Sequence, residues 1–197
     1  MNFLAHIYLS GNDELIKIGN FMADGIRGKD YENYPPKIKT GILLHRFIDS
    51  YTDSHPVFRQ STKRLHEKYS HYSGVIVDMF YDHFLCKNWS NYSDENLSDF
   101  VQHFYTSLRE NYDVLTDKTK HLLPYMEKGN WLYNYQFLDE LEIILSQMDY
   151  RTKNKSKMRF SINELKEYYS EFESEFMLFF EDLRTESKKK LRELVDG

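Results

Sequence analysis

Apolar residues recur every three or four positions along nearly the whole chain, a spacing that fits helices and little else. The clearest run is Ile162, Leu165, Tyr169, Phe172, Phe176, Phe179 and Leu183, one stripe on a long helix expected over about 161–194. A stripe of that width marks a face turned to a core. Earlier stripes behave the same way. Phe3, Leu4, Ile7 and Tyr8 form one, broken at Ser10-Gly11-Asn12-Asp13; Leu15, Ile18, Gly19, Met22 and Ile26 form the next, ending at Gly28. Pro35-Pro36 fits a helix start, followed by Ile38, Ile42, Leu43, Phe47 and Ile48. The stretch 52–56 closes that helix and opens another to about Ser70, and Val75 to Cys86 is strongly apolar. Ser93-Asp94-Glu95 reads as a cap for a helix to about Tyr112, and Pro124 and Gly129 are expected to break 116–134 into shorter helices. Eight Gly and four Pro among 197 residues argue against a turn-rich sandwich or barrel. The fold expected is a single-domain, all-α multi-helix bundle over 1–197. Its core is built from rings and Leu/Ile, since 16 Tyr and 14 Phe stand beside two alanines, Ala5 and Ala23.

Charge and cysteine content narrow the function classes. A net charge of −5 is the wrong sign for a general nucleic-acid binder. Cys86 is the only cysteine, so neither an internal disulfide nor a cysteine-based metal cluster is available. The first Lys or Arg is Lys17, the opening segment does not read as a signal peptide, and no run of about 18 apolar residues exists. A cytoplasmic protein with no membrane partner is expected.

Polar residues that do not belong in apolar surroundings concentrate in the first 90 positions, with six of the eight histidines: His6, His45, His55, His66, His71 and His83. Asp24 follows Phe21-Met22-Ala23. His45, Asp49 and Asp53 are four apart and share a helix face, as do Asp78 and Asp82, with His83 next to the latter. Carboxylates on converging helices repel one another in a dry core unless paired or bound to a cation, and Asp with neutral His suits a divalent metal. Taken singly, each has a structural explanation: Asp49 pairing with Arg46, a satisfied core histidine at position 45, Asp53 capping the next helix. Taken together, they favour a metal site. Other constellations are absent: no Glu three residues before a His, no phosphate loop, no Gly-x-Ser-x-Gly elbow, no His-Glu-x-x-His.

Five ordered motifs then match a known pattern: Asn2-Phe3-Leu4-Ala5-His6; Gly19-Asn20…Ala23-Asp24…Arg27-Gly28; Gly41-Ile42…His45-Arg46…Ile48-Asp49; Thr52-Asp53…His55-Pro56; and Asp78-Met79…Asp82-His83-Phe84-Leu85. In these the chain resembles the bacterial acyl carrier protein phosphodiesterases, divergent relatives of the His-Asp metal-dependent phosphohydrolases. The resemblance implies removal of 4′-phosphopantetheine from holo-acyl carrier protein with a divalent cation, Mn²⁺ or Mg²⁺. It points to His6, Asp24, His45 and Asp82 or His83 at the metal or just behind it, with Asp49 and Asp78 orienting them. The adjacent pair runs Asp82 then His83, the reverse of the superfamily order, so the choice among Asp78, Asp82 and His83 stays open. Arg27 or Arg46 is a candidate phosphate clamp. Arg151, Lys153, Lys155, Lys157 and Arg159, or Lys188-Lys189-Lys190 with Arg192, would suit an acidic protein partner. A helical phosphohydrolase of nucleotides or small phosphodiesters, and a non-enzymatic helical binding module, are the rival readings.

Overall fold

A computed structural model describes residues 2–196, and among these there is no strand. Eleven α-helices follow one another: α1 (Phe3–Leu9), α2 (Glu14–Met22), α3 (Pro36–Ser54), α4 (Pro56–Tyr69), α5 (Ser73–Lys87), α6 (Leu97–Glu110), α7 (Asp117–Gly129), α8 (Trp131–Asn134), α9 (Leu138–Arg151), α10 (Ile162–Glu167) and α11 (Tyr169–Asp196). Helix α11 packs on α3, α4 and α5 and is the spine of the bundle. Its Phe172, Phe176, Phe179 and Phe180 are fully buried; Phe172 meets Phe80 of α5 edge-on, Phe176 meets Tyr81 edge-on and stacks on Phe84, and Phe179 is tilted against Phe58 of α4. Aromatic pairs of this kind contribute beyond the area they bury.

Two expectations about elements change. Pro124 does not break its segment; α7 runs through it to Gly129. Proline removes one N–H from the ladder, but Pro124 lies on the exposed side, where the freed carbonyl can reach water. The terminal stripe is carried by two helices, not one, because the chain turns at Tyr168 (ψ 35°) between α10 and α11. The apolar spacing continues across the turn, which is why the break left no trace in the pattern.

The crossing of α2 and α3 sets the geometry of everything that follows. At Gly19 a Cβ would lie 2.2 Å from the Ile38 carbonyl oxygen, and at Gly41 it would lie 2.2 Å from the Ile16 oxygen and 2.6 Å from the Asn20 nitrogen. Only hydrogen at those two positions lets the backbones touch. Asn20, beside Gly19, is thereby pressed against His45, one turn beyond Gly41.

Helix α1 has seven residues, too few to persist alone, and its own N-cap Asn2 makes no side-chain cap bond. The cap comes from another helix. Asp82 of α5, fully buried, accepts from the backbone N–H groups of Leu4 (2.8 Å) and Ala5 (3.3 Å). Burial pushes its carboxyl up to about 7 while those two donors pull the other way. Next to it, His83 donates from Nδ1 to the Tyr135 carbonyl (2.8 Å), which can only accept, and Nε2 accepts from the Tyr169 hydroxyl (2.9 Å).

This arrangement needs a neutral His83, and burial holds the imidazole down at about 4. A base whose folded pKa is depressed gives stability that is complete above the unfolded value of about 6.5 and is lost as pH falls toward 4. The expected loss from this residue is roughly 3 kcal/mol. Urea unfolding between pH 7 and 4 should therefore show a shallower acid limb for His83→Gln than for the unmodified protein. Equal slopes would mean that His83 is protonated in the fold.

Candidate active site

One pocket, of about 430 Å³, gathers most of the carboxylates and histidines singled out above. Helix α1 brings His6; α2 and the short turn after it bring Asn20 and Asp24; α3 brings His45, Asp49 and Asp53; α5 brings Asp78. Trp131 of α8 and Ile144, Gln147, Met148 and Arg151 of α9 complete the lining with Phe3, Phe21, Val75, Met79 and Tyr135.

Asn20 organises the histidines. Its Nδ2 donates to the His6 carbonyl (3.0 Å) and to Ser10 Oγ (2.8 Å), whose own proton goes to the His6 carbonyl. The amide is therefore oriented with Oδ1 toward the rings. There it lies 2.8 Å from His6 Nδ1 and 3.2 Å from His45 Nδ1. The two imidazoles stack at 4.1 Å, each presenting Nε2 away from Asn20. His45 Nε2 lies 3.2 Å from Asp24 Oδ1 and 3.0 Å from Asp49 Oδ2, and His6 Nε2 lies 3.2 Å from Asp49 Oδ1.

The two rings carry different charge. Burial lowers His45, but hydrogen bonds from its Nε2 to Asp24 and Asp49 outweigh that and raise it to about 9. Burial, with cationic His45 alongside, lowers His6 to about 4. Asp24 is held below the usual carboxylate range by the His45 bond, against the effect of burial. Burial opposes ionisation of Asp49 too, but its bonds with His45 and His6 hold it well below that range. For Asp78 burial dominates and pushes the carboxyl up.

One consequence concerns ligands. His6 Nε2 and His45 Nε2 both face the Asp49 carboxylate, at 3.2 and 3.0 Å. His6, His45 and Asp49 offer ligand atoms that all lie within 4.8 Å of one another, close enough to share one ion.

The other expected residues lie elsewhere. Asp82 and His83 do not line the pocket, because each is consumed by the buried bonds to α1, Tyr135 and Tyr169 described above. Arg27 is exposed on the loop after α2 and is outside the lining. Arg46 points away: its guanidinium donates to the Ile26 carbonyl (3.2 Å) and covers the Tyr31 ring at 4.9 Å, pinning that loop to α3. The arginine in the lining is Arg151, which sequence reasoning had grouped with a basic surface run. Asn20 carries a signal in the sequence: it stands four residues before Asp24 and next to Gly19, among Ile16, Ile18, Phe21 and Met22.

Fold and pocket together define an all-helical protein with a histidine–carboxylate centre under an apolar-walled cavity. A family model described as "Acyl carrier protein phosphodiesterase" matches residues 1–183, and the chain belongs to that family. Among similar proteins, an acyl carrier protein phosphodiesterase of Escherichia coli O157:H7 is 30% identical over 195 residues, covering 96% of this chain and 99% of that one. One from Yersinia enterocolitica is 27% identical over 191 residues, with the same coverage. One from Pectobacterium atrosepticum is 29% identical over 181 residues, covering 91% and 94%. No solved structure matches the chain. Among the described residues no helix is long and apolar enough to cross a membrane.

Proposed function

We propose that the chain is a phosphodiester hydrolase that removes 4′-phosphopantetheine from holo-acyl carrier protein in the cytoplasm, using a divalent cation, Mn²⁺ or Mg²⁺. Family membership and the names of the relatives support the reaction class and the substrate. The observation that carries the metal is the convergence of His6, His45 and Asp49, whose ligand atoms lie within 4.8 Å of one another, with Asp24 beside them. That donor set of two imidazoles and oxygens suits a divalent ion of intermediate hardness. Held by His6, His45 and Asp49, such an ion supplies charge neutralisation for the phosphate and lowers the pKa of a water.

The chain's own groups account for the rest. Asp24 is ionised, more than half exposed to the pocket, and anchored on one side by His45, so its second oxygen is available to take a proton from attacking water. The water oxygen forms the new bond to phosphorus; the bond from phosphorus to the carrier serine oxygen breaks, and that oxygen takes a proton from solvent water while Asp24 returns its own to solvent. Arg151 offers a planar pair of donors for the non-bridging oxygens, the role that Arg27 and Arg46 cannot fill from where they lie. Among the described lining residues there is no Ser, Thr, Cys or Lys, so water is the nucleophile this pocket is equipped to use.

Intact-mass spectrometry of holo-acyl carrier protein incubated with the protein tests the reading. Loss of the phosphopantetheine mass with Mn²⁺ and not with a chelator is expected, and Asp24→Ala should abolish it while helicity is kept. No loss in any sample would overturn the substrate; equal loss with chelator would overturn the metal.

A further inference from the structure

The rim of the pocket continues into a groove along the outer face of α9. Gln147 and Arg151 line both, and Ile143 and Tyr150 stand in the groove half and three-quarters exposed, while Asp139 and Glu142 line its far end. Directly after Arg151 the chain enters a loop, 152–157, with Lys153, Lys155 and Lys157 all exposed. Among the described residues, neither these lysines nor Arg151 makes an ion pair. On a chain of net charge −5, Lys153 and Lys155 thus follow within four residues of the arginine that lines the pocket, while Lys157 lines a separate depression with Glu67 and Glu164.

The loop is held in place. Asp149, fully buried, accepts from Ser156 Oγ (2.7 Å) and from Arg159 Nε (2.6 Å), while its carbonyl accepts from the Asn154 N–H (2.9 Å). Thr152 Oγ1 joins Ser156 Oγ at 2.9 Å. Lys153 and Lys157 adopt left-handed backbone (φ 56° and 58°), a conformation that lysine enters only when surrounding bonds enforce it. Arg159, one of the five basic residues of the run, is spent on Asp149; the remaining four point outward. The second basic cluster differs. Lys189 and Lys190 sit on α11 beside Glu186 and Glu193, which neutralise them, and α11 contributes nothing to the pocket lining.

We infer that the loop 152–157 and the Tyr150–Arg151 end of α9 are the docking surface for the acidic face of the protein that carries the phosphodiester, so that its arm enters the pocket past Arg151. The inference rests on the function proposed above and adds where the macromolecular part of the substrate binds. Charge at such a rim acts on encounter and orientation, and salt screens it. A loop already ordered before binding adds little entropy loss on docking.

The test compares the full-length protein with K153Q/K155Q/K157Q and, as control, K188Q/K189Q/K190Q. Affinity for holo-acyl carrier protein is measured in chelator at low and moderate salt, and turnover with Mn²⁺ in parallel, with bis(p-nitrophenyl) phosphate as a small substrate. The loop variant should lose about tenfold or more in affinity and most of its salt dependence, with KM for the carrier protein rising and hydrolysis of the small diester unchanged. The α11 control should match the unmodified protein in all readouts. Unchanged affinity in the loop variant, an equal loss in the control, or no binding by the unmodified protein would overturn the docking surface. Salt-dependent binding that needs the loop lysines, without release of the arm, would sustain the surface and overturn the proposed reaction instead.

Discussion

Replacing Gly41 by alanine should destabilise the protein by about 3 kcal/mol and lower turnover about a hundredfold, although Gly41 touches no substrate. The added Cβ would sit 2.2 Å from the Ile16 oxygen and 2.6 Å from the Asn20 nitrogen. Both are backbone atoms, so no rotamer change relieves the overlap, and α2 must move from α3 by about 1 Å to reach ordinary contact. Asn20 and Asp24 travel with α2 and its following turn, while His45 and Asp49 stay with α3. The bonds Asn20 Oδ1–His45 Nδ1 and His45 Nε2–Asp24 Oδ1, each already 3.2 Å, are the ones that would open. Urea unfolding and steady-state kinetics check the two effects together. Gly74→Ala is the control, since no atom lies within 4 Å of a Cβ there and helix propensity favours alanine by about 1 kcal/mol. A Gly41→Ala protein as stable as the Gly74→Ala one would show that the helices do not meet through their glycines.

The same crossing shows what a sequence can and cannot reveal about this chain. Helices were legible because burial at a spacing of three and four is a local property, and α3, α4 and α5 fall close to where the apolar residues place them. The turn at Tyr168 was not, since Leu165, Phe172 and Phe176 remain buried on both sides of it. In the pocket, His45 and Asp49 share a face four residues apart, a relation the sequence states directly. Asp82 and His83 look just as anomalous in sequence, being polar groups in an apolar helix. A local pattern reports that such groups are buried, but it does not say whether they are paid for by a ligand or by the N-terminus of α1 and the Tyr135 carbonyl. Arg151 was hidden for the opposite reason: its basic neighbours made it look like surface, whereas its helical relation to Ile144, Gln147 and Met148 places it on the pocket face of α9.

Asp49→Asn removes the one carboxylate that faces both imidazoles. The variant should bind Mn²⁺ far more weakly and lose about 10³-fold in turnover, on the order of 4 kcal/mol of transition-state stabilisation. Its metal-free fold should also be less stable near neutral pH, because the carboxylate that His45 and His6 hold well below the usual range is gone. His45 would keep Asp24 as its anionic partner but lose Asp49, so its pKa should fall below the present value of about 9. The alkaline side of the stability profile reports this with a definite sign. A raised imidazole pKa gives stability that is complete below the unfolded value and lost as pH rises through the folded one, so the unmodified metal-free protein should weaken on approaching pH 9. In Asp49→Asn the loss should be smaller and should finish at lower pH. Mn²⁺ titration, NMR titration of the His45 ring and urea unfolding from pH 6 to 10 measure the three effects. Mn²⁺ affinity and turnover equal to those of the unmodified protein would take Asp49 out of the cation site. Lost affinity and lost turnover, with the His45 titration moved as expected, would leave a bound cation as what the His6, His45 and Asp49 cluster is arranged to hold.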